Sequence, residues 1–219
     1  MKRSAQSVLF FVFCVLLAGS MSSCSSTYYG AMEKVGIHKR DILVDRVEDG
    51  RDAQAEAQKQ FQSALEQFDS IVKLEETDLK KAYEKFDKEY KDCKSAAEDV
   101  SSRIDKIESV AKALFKEWKN ELKEYENKDL RRSSEKQLND TKKRYADMLA
   151  TMKTAEESMD PVLRIFHDNV LFLKHNLNAQ AIGSLQNEFA ALEGHIDELV
   201  QSMNVAIASS NEFISQIKE

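Results

Sequence analysis

The chain has 219 residues, of which 32% are charged and only 8% aromatic, with one proline and six glycines. So few turn-formers argue against a β-sandwich or a doubly wound sheet, each of which needs many tight turns, and leave an all-α fold of solvated helices. A formal charge of −6 offers no general attraction to nucleic acid or to anionic lipid.

At the start of the chain, Lys2 and Arg3 precede an apolar run from Val8 to Ala18, the charged and apolar regions of an export signal. The run is too short to span a bilayer, which takes ~20 residues, so residues 1–23 are expected to be removed rather than kept as an anchor. Gly19, Ser20, Ser22 and Ser23 are small residues before Cys24, and this arrangement resembles the lipobox of bacterial lipoproteins. That resemblance implies cleavage before Cys24 and acylation of its sulfur. It departs from the usual pattern at Met21, where leucine is common. The alternative is ordinary signal cleavage near Ser20 or Ser22, which leaves Cys24 a free thiol in an oxidising compartment. Ser25, where an inner-membrane retention signal would have Asp, implies sorting to the outer membrane with the protein facing the periplasm; the runner-up is a soluble periplasmic protein. Cleavage takes the formal charge from −6 to −8; with Cys14 removed and Cys24 acylated, Cys93 is the one free cysteine and no intrachain disulfide can form.

Residues 24–35 read as a tether and 36–219 as a helical bundle. In "YYGAMEKVGIHKRDILVDRV", residues 28–47, Tyr28, Tyr29, Met32, Val35 and Ile37 lie beside the expected anchor. They suit a membrane interface, or they fold back as a cap over the bundle end. The first helix, about 36–74, has the weakest pattern. Val44, Val47, Phe61, Leu65, Phe68 and Val72 fit alternating steps of three and four, but Arg51, Gln54 and Gln58 occupy the rungs between them. Alanines 53, 55, 57 and 64 cluster there, and Gly50 lowers helix propensity by ~1 kcal/mol, so a bend or thin packing is expected.

The second helix, about 78–126, carries the clearest ladder: Leu79, Tyr83, Phe86, Tyr90, Cys93, Ala97, Val100, Ile104, Ile107, Ala111, Leu114 and Trp118. That is a coiled-coil seam. The continuation through Leu122 to Tyr125 is a stutter that predicts local unwinding. In the third helix, about 129–177, the seam is Leu138, Thr141, Tyr145, Met148, Met152, Ala155, Met159, Val162 and Phe166. It keeps its phase across Asp160-Pro161, which favours a kinked helix over a new start. Just beyond, Leu163 and Phe172 fall off the seam, so the helix is either buried on a wide face, the favoured reading, or presents a patch to a partner. The fourth helix, about 179–218, runs from Ile182 to Ile217 with Ser210 as its one polar rung. Turns at 75–78, 126–129 and 176–178 carry the cap candidates Thr77, Asp78, Asp129 and Asn178. Such short links force antiparallel neighbours: an elongated up-down-up-down four-helix bundle of rods roughly 60 to 75 Å long. Folding about the turns sets Gln54, Ala97, Ala155 and Leu199 at one narrow level.

Residues 26–61 and the stretch "DPVLRIFHDNVLFLKHNLNAQAIGSLQ", residues 160–186, resemble a bacterial family known as domain of unknown function 2959, over essentially the whole mature chain. The resemblance implies a helical envelope protein with no established activity, although members sometimes carry an automatic label as a DNA-repair ATPase. A phosphate-binding loop needs Gly-x4-Gly-Lys-Ser/Thr. Here five residues separate Gly30 from Gly36, and Ile37 and His38 follow.

No cofactor or metal is expected. His38, His167, His175 and His195 are too far apart in sequence to be helical ligand pairs and read as edge histidines. Cys93 reads as a buried structural thiol, and Tyr83, Tyr90 and Tyr125 as core residues with hydroxyls at the helix edge. Arg131-Arg132 and Lys142-Lys143-Arg144 read as a solvated face. The functional expectation is a non-enzymatic, lipid-anchored structural or adaptor protein of the cell envelope, binding neither nucleotide nor nucleic acid, with Tyr28, Tyr29, Leu163 and Phe172 as candidate contacts to a protein partner or the membrane. The alternative is a membrane-surface scaffold that self-associates through its helices.

Overall fold

The structure, a computed structural model, describes Tyr29, Met32 and residues 36–73, 79–176 and 179–218. The signal region, Met21, Cys24, Ser25, Tyr28, Val35 and the cap candidates Thr77, Asp78 and Asn178 lie outside the described residues. Four helices account for nearly all of the rest: α1 Lys39–Val72, α2 Leu79–Glu121, α3 Lys128–His175 and α4 Ala179–Lys218. They pack in a ring, α1 on α2 and α4, and α3 on α2 and α4, as an antiparallel up-down-up-down bundle. Cross-helix pairs run in opposite sequence directions, Lys39 with Glu117 and Gln60 with Glu89, as antiparallel neighbours must.

The ladders in α2, α3 and α4 are the buried stripes, with Tyr83, Tyr90, Trp118, Tyr145 and Phe189 half-buried at the edges. The buried seam of α1 keeps Val47, Gln54, Phe61 and Phe68 of the sequence-based ladder, and the rungs between them sit one residue earlier than that ladder places them. The seam runs Leu43, Val47, Gly50, Gln54, Ala57, Phe61, Ala64, Phe68, Ile71, each buried. Reading large apolar side chains alone misplaces those intervening rungs, because three of them are glycine or alanine. Gly50 is not a thin spot. A Cβ there would stand 2.8 Å from Ile107 Cδ1 and 2.9 Å from Met152 Cε, so α2 and α3 press side chains directly onto the α1 backbone. The narrow level therefore sits at Gly50, with Gln54 donating from Nε2 to the Met152 carbonyl at 3.3 Å.

At the opposite end of this core, phenylalanines from all four helices join. Phe68 meets Phe86 at 5.0 Å and Phe189 at 6.1 Å, and Phe166 meets Phe86 edge-on at 5.4 Å and Phe61 at 6.3 Å. Such ring pairs add to the burial of the rings themselves.

Helix α3 continues through Pro161 with Met159 and Val162 both buried, so the proline does not break it. The stutter does not form. Helix α2 ends at Glu121, and Tyr125 is exposed in the turn beyond it. The cap of α3 is Asn127 rather than Asp129: its Oδ1 accepts from the Asp129 and Leu130 amides at 2.9 and 3.2 Å, leaving the Asp129 carboxylate in the first turn. Helix α1 starts beside Glu117 and α4 ends opposite Thr141, so α2 and α3 project beyond them as a two-helix tip. There Leu122 and Leu138 are buried, and Trp118 Nε1 donates to Ser134 Oγ at 2.8 Å. Tyr125 has no third helix to pack against at that level, which is why it is not core.

Candidate functional site

Gly36 has φ +85°, and the Ile37 amide donates back to the Met32 carbonyl at 3.1 Å. That six-residue bond across a left-handed glycine closes a helical turn that includes Tyr29 and Met32, and it reverses the chain before His38 opens α1. Tyr29 is 7% exposed, and its hydroxyl donates to Ser109 Oγ on α2 at 3.2 Å. Around it, Arg46, Ser101, Ser102 and Asp105 line a groove between α1 and α2. Met32 packs on the same core. Tyr29 and Met32 thus rest on the core beside α2, Tyr29 at the level of Ser109. Covering the ring removes Tyr29 from the outward contact surface; among the described residues of this stretch, Ile37 is the exposed large apolar side chain.

Leu163 and Phe172 do not form one surface. Nine residues of helix separate them, which turns them to opposite sides of α3. Leu163 is half-buried against the core beside Tyr90 and His167. Phe172 is 36% exposed next to the more exposed Leu171, at a groove shared with Ser184, Leu185 and Glu188 of α4. Leu163 therefore belongs to a wide internal face, whereas Phe172 is partly exposed. Leu171 was missed because it belongs to neither ladder, yet the apolar run around it was a visible signal. Also missed was a cavity of about 360 Å³ where α1 and α4 end, lined by Arg40, Leu114, Trp118, Thr141, Arg144 and Ile217. Its residues come from all four helices, so no local pattern marks it.

Among the described residues no group of three or more His, Cys, Asp or Glu side chains is placed to hold a metal ion. His38 sits at the α1 N-cap position without a side-chain cap bond, and the His167 ring lies tilted at 46° to Tyr90 with centroids 5.6 Å apart. His195 lies within 3.8 Å of Glu198 on a solvated face, and His175 is exposed. Cys93 is fully buried, its thiol 3.6 Å from the Gln60 carbonyl, and burial pushes the thiol up to about 12. Burial likewise raises Tyr145, and a hydrogen bond from Lys153 to Glu108 favours the charged lysine. Arg131, Arg132, Lys143 and Arg144 are exposed, and Lys142 lies over the Phe115 ring.

A family described as "Protein of unknown function (DUF2959)" matches the chain over residues 28–217. No curated protein and no solved structure matches it.

Proposed function

The chain belongs to the DUF2959 family of proteins of unknown function, and on that premise we propose that it is a lipid-anchored protein of the cell envelope that works by binding a protein partner. The observation that carries the reading is how the side chains are spent. The apolar stripes of helices 34 to 48 residues long are consumed by mutual packing. The outer faces are laced with pairs four residues apart such as Lys88–Asp92, Lys94–Glu98 and Arg103–Asp99, which keep the surface solvated and add little stability. Outside that pattern, Leu171 and Phe172 stand as adjacent exposed apolar side chains, the kind of anchor a partner helix covers. The sequence supplies the other half, an export signal ending at Cys24. No helix of the described residues is long and apolar enough to cross a membrane; the attachment in this reading is the acyl chain on Cys24. Chemistry is not assigned, since no nucleophile, base and oxyanion-stabilising group converge among the described side chains.

A photo-crosslinking side chain at Phe172 tests the partner. A specific adduct from position 172 in cells, with none from position 163, is the expected result. Loss of that adduct together with concentration-dependent assembly of the purified chain by light scattering would replace the adaptor reading with the self-assembling scaffold. Intact mass of the membrane-extracted protein tests the anchor: acyl mass on Cys24 is expected.

A further inference from the structure

The seams of α2 and α3 run on past the point where α1 begins at Lys39 and α4 ends at Lys218, and the cavity of about 360 Å³ opens there. Its floor is apolar. Leu114 and Ile217 are buried beneath it, and the Trp118 ring lines it, fixed by the 2.8 Å bond from its Nε1 to Ser134 Oγ. That bond uses the one donor of the indole, so the ring offers the cavity carbon surface only. Thr141, the polar rung of the α3 seam, lies at the same level and accepts from Arg144 Nη2 at 3.5 Å, which draws that guanidinium back toward the seam.

Elsewhere on the bundle arginines pair with carboxylates: Arg46 with Asp49, Arg51 with Asp52, Arg103 with Asp49 and Asp99, Arg132 with Asp129, and Arg164 with Asp160. Among the described residues Arg40, Arg131 and Arg144 hold no carboxylate. Arg131 stands exposed on the tip, whereas Arg40 and Arg144 both line this cavity, one from the first turn of α1 and the other from α3. The two carboxylates of the lining do not cancel them. Glu117 is already held by Lys39 at 2.9 Å, and Glu121 is exposed one helical turn, about 6 Å, farther out at the end of α2. Two guanidinium groups, each able to hold a carboxylate by a pair of N–H bonds, thus stand over an apolar floor, in a volume at the small end for ligand pockets. We propose that the cavity binds a small carboxylate with an apolar body, the carboxylate held by Arg40 and Arg144 and the body lying against Leu114, Trp118 and Ile217. Neither the anchor nor the partner surface at Leu171 and Phe172 is needed for it.

Trp118 is the one tryptophan of the chain, so tryptophan fluorescence reads this cavity. The purified full-length chain is titrated with decanoate, below the concentration at which it forms micelles, and separately with decanol, which has the same body without the charge. Expected are a saturable blue shift of the Trp118 emission with decanoate, at least tenfold weaker binding of decanol, and at least tenfold weaker decanoate binding when Arg40→Gln is combined with Arg144→Gln. Both arginines are exposed, so the ligand-free double variant is expected to unfold at the same temperature as the natural chain, which separates lost binding from lost folding. Should it not fold, Arg144→Gln alone carries the same comparison. No saturable shift with decanoate overturns the site. Equal binding of decanol and decanoate, or unchanged decanoate binding in the glutamine variant, overturns the recognition of the carboxylate by the two arginines.

Discussion

Two levels of the same core are filled in opposite ways. At the aromatic level Phe61, Phe68, Phe86, Phe166 and Phe189 bring large rings from every helix to one place, and four ring pairs lock their angles. At the Gly50 level there is almost no α1 side chain, and Ile107 and Met152 fill the space against the backbone. A buried amide lies one turn on, and Gln54 Oε1 has no hydrogen-bond partner there. The first level gains from buried area and ring geometry; the second gains from close approach and carries the cost of an unsatisfied acceptor. Stability and specificity of alignment are thereby placed in different parts of one seam.

The largest test of that contrast is Phe86→Ala. It opens a cavity touching Phe68 and Phe166 and is expected to lower unfolding free energy by about 3 to 5 kcal/mol, read from denaturant midpoints. Overpacking probes the other level. Gly50→Leu should lose about 3 kcal/mol, at the upper end for forcing methylenes into a packed core. Gly50→Ala should fall within about 1 kcal/mol of the natural chain, because its helix-propensity gain offsets the shift of two flexible side-chain ends.

Cys93 lies between the two levels and supplies a pH test. Its thiol stays protonated in the folded chain up to about 12, whereas the unfolded thiol ionises near 9.0. Above pH 9 the unfolded state binds fewer protons, so the contribution is fully present below pH 9 and is lost as pH rises toward 12. Between pH 8 and pH 10.5 the natural chain should lose about 2 kcal/mol more than Cys93→Ala does, and a parallel loss in both would place the titration elsewhere. The smallest effect is expected from Gln54→Leu. Replacing the unsatisfied amide by a side chain of similar size should raise stability by about 1 kcal/mol, and a loss instead would mean that the 3.3 Å bond to Met152 outweighs the orphaned oxygen.

Much of the site followed the same division. The twelve-rung ladder from Leu79 to Trp118 was legible because a long amphipathic helix repeats its apolar residues every three or four positions whatever packs on it. Phe172 and Leu163 were legible as residues off the seam, but not as residues on opposite sides of the helix with different fates, since that depends on where α2 and α4 lie. Tyr29 as an interface aromatic was a fair reading of its neighbours in sequence. Its burial depends on Ser109, eighty residues away.

By itself the sequence determined the class of fold, the number and length of the helices, their antiparallel order and the continuity of α3 through Pro161, because periodicity and short links are local properties of the chain. Only the tertiary structure decided the α1 seam, the close approach at Gly50, the two-helix tip and the flank on which Tyr29 rests. Each of those is set by what a neighbouring helix brings to the same height: glycine and alanine become core only where a partner's side chain fills the space they leave, and Tyr125 stays exposed because none does.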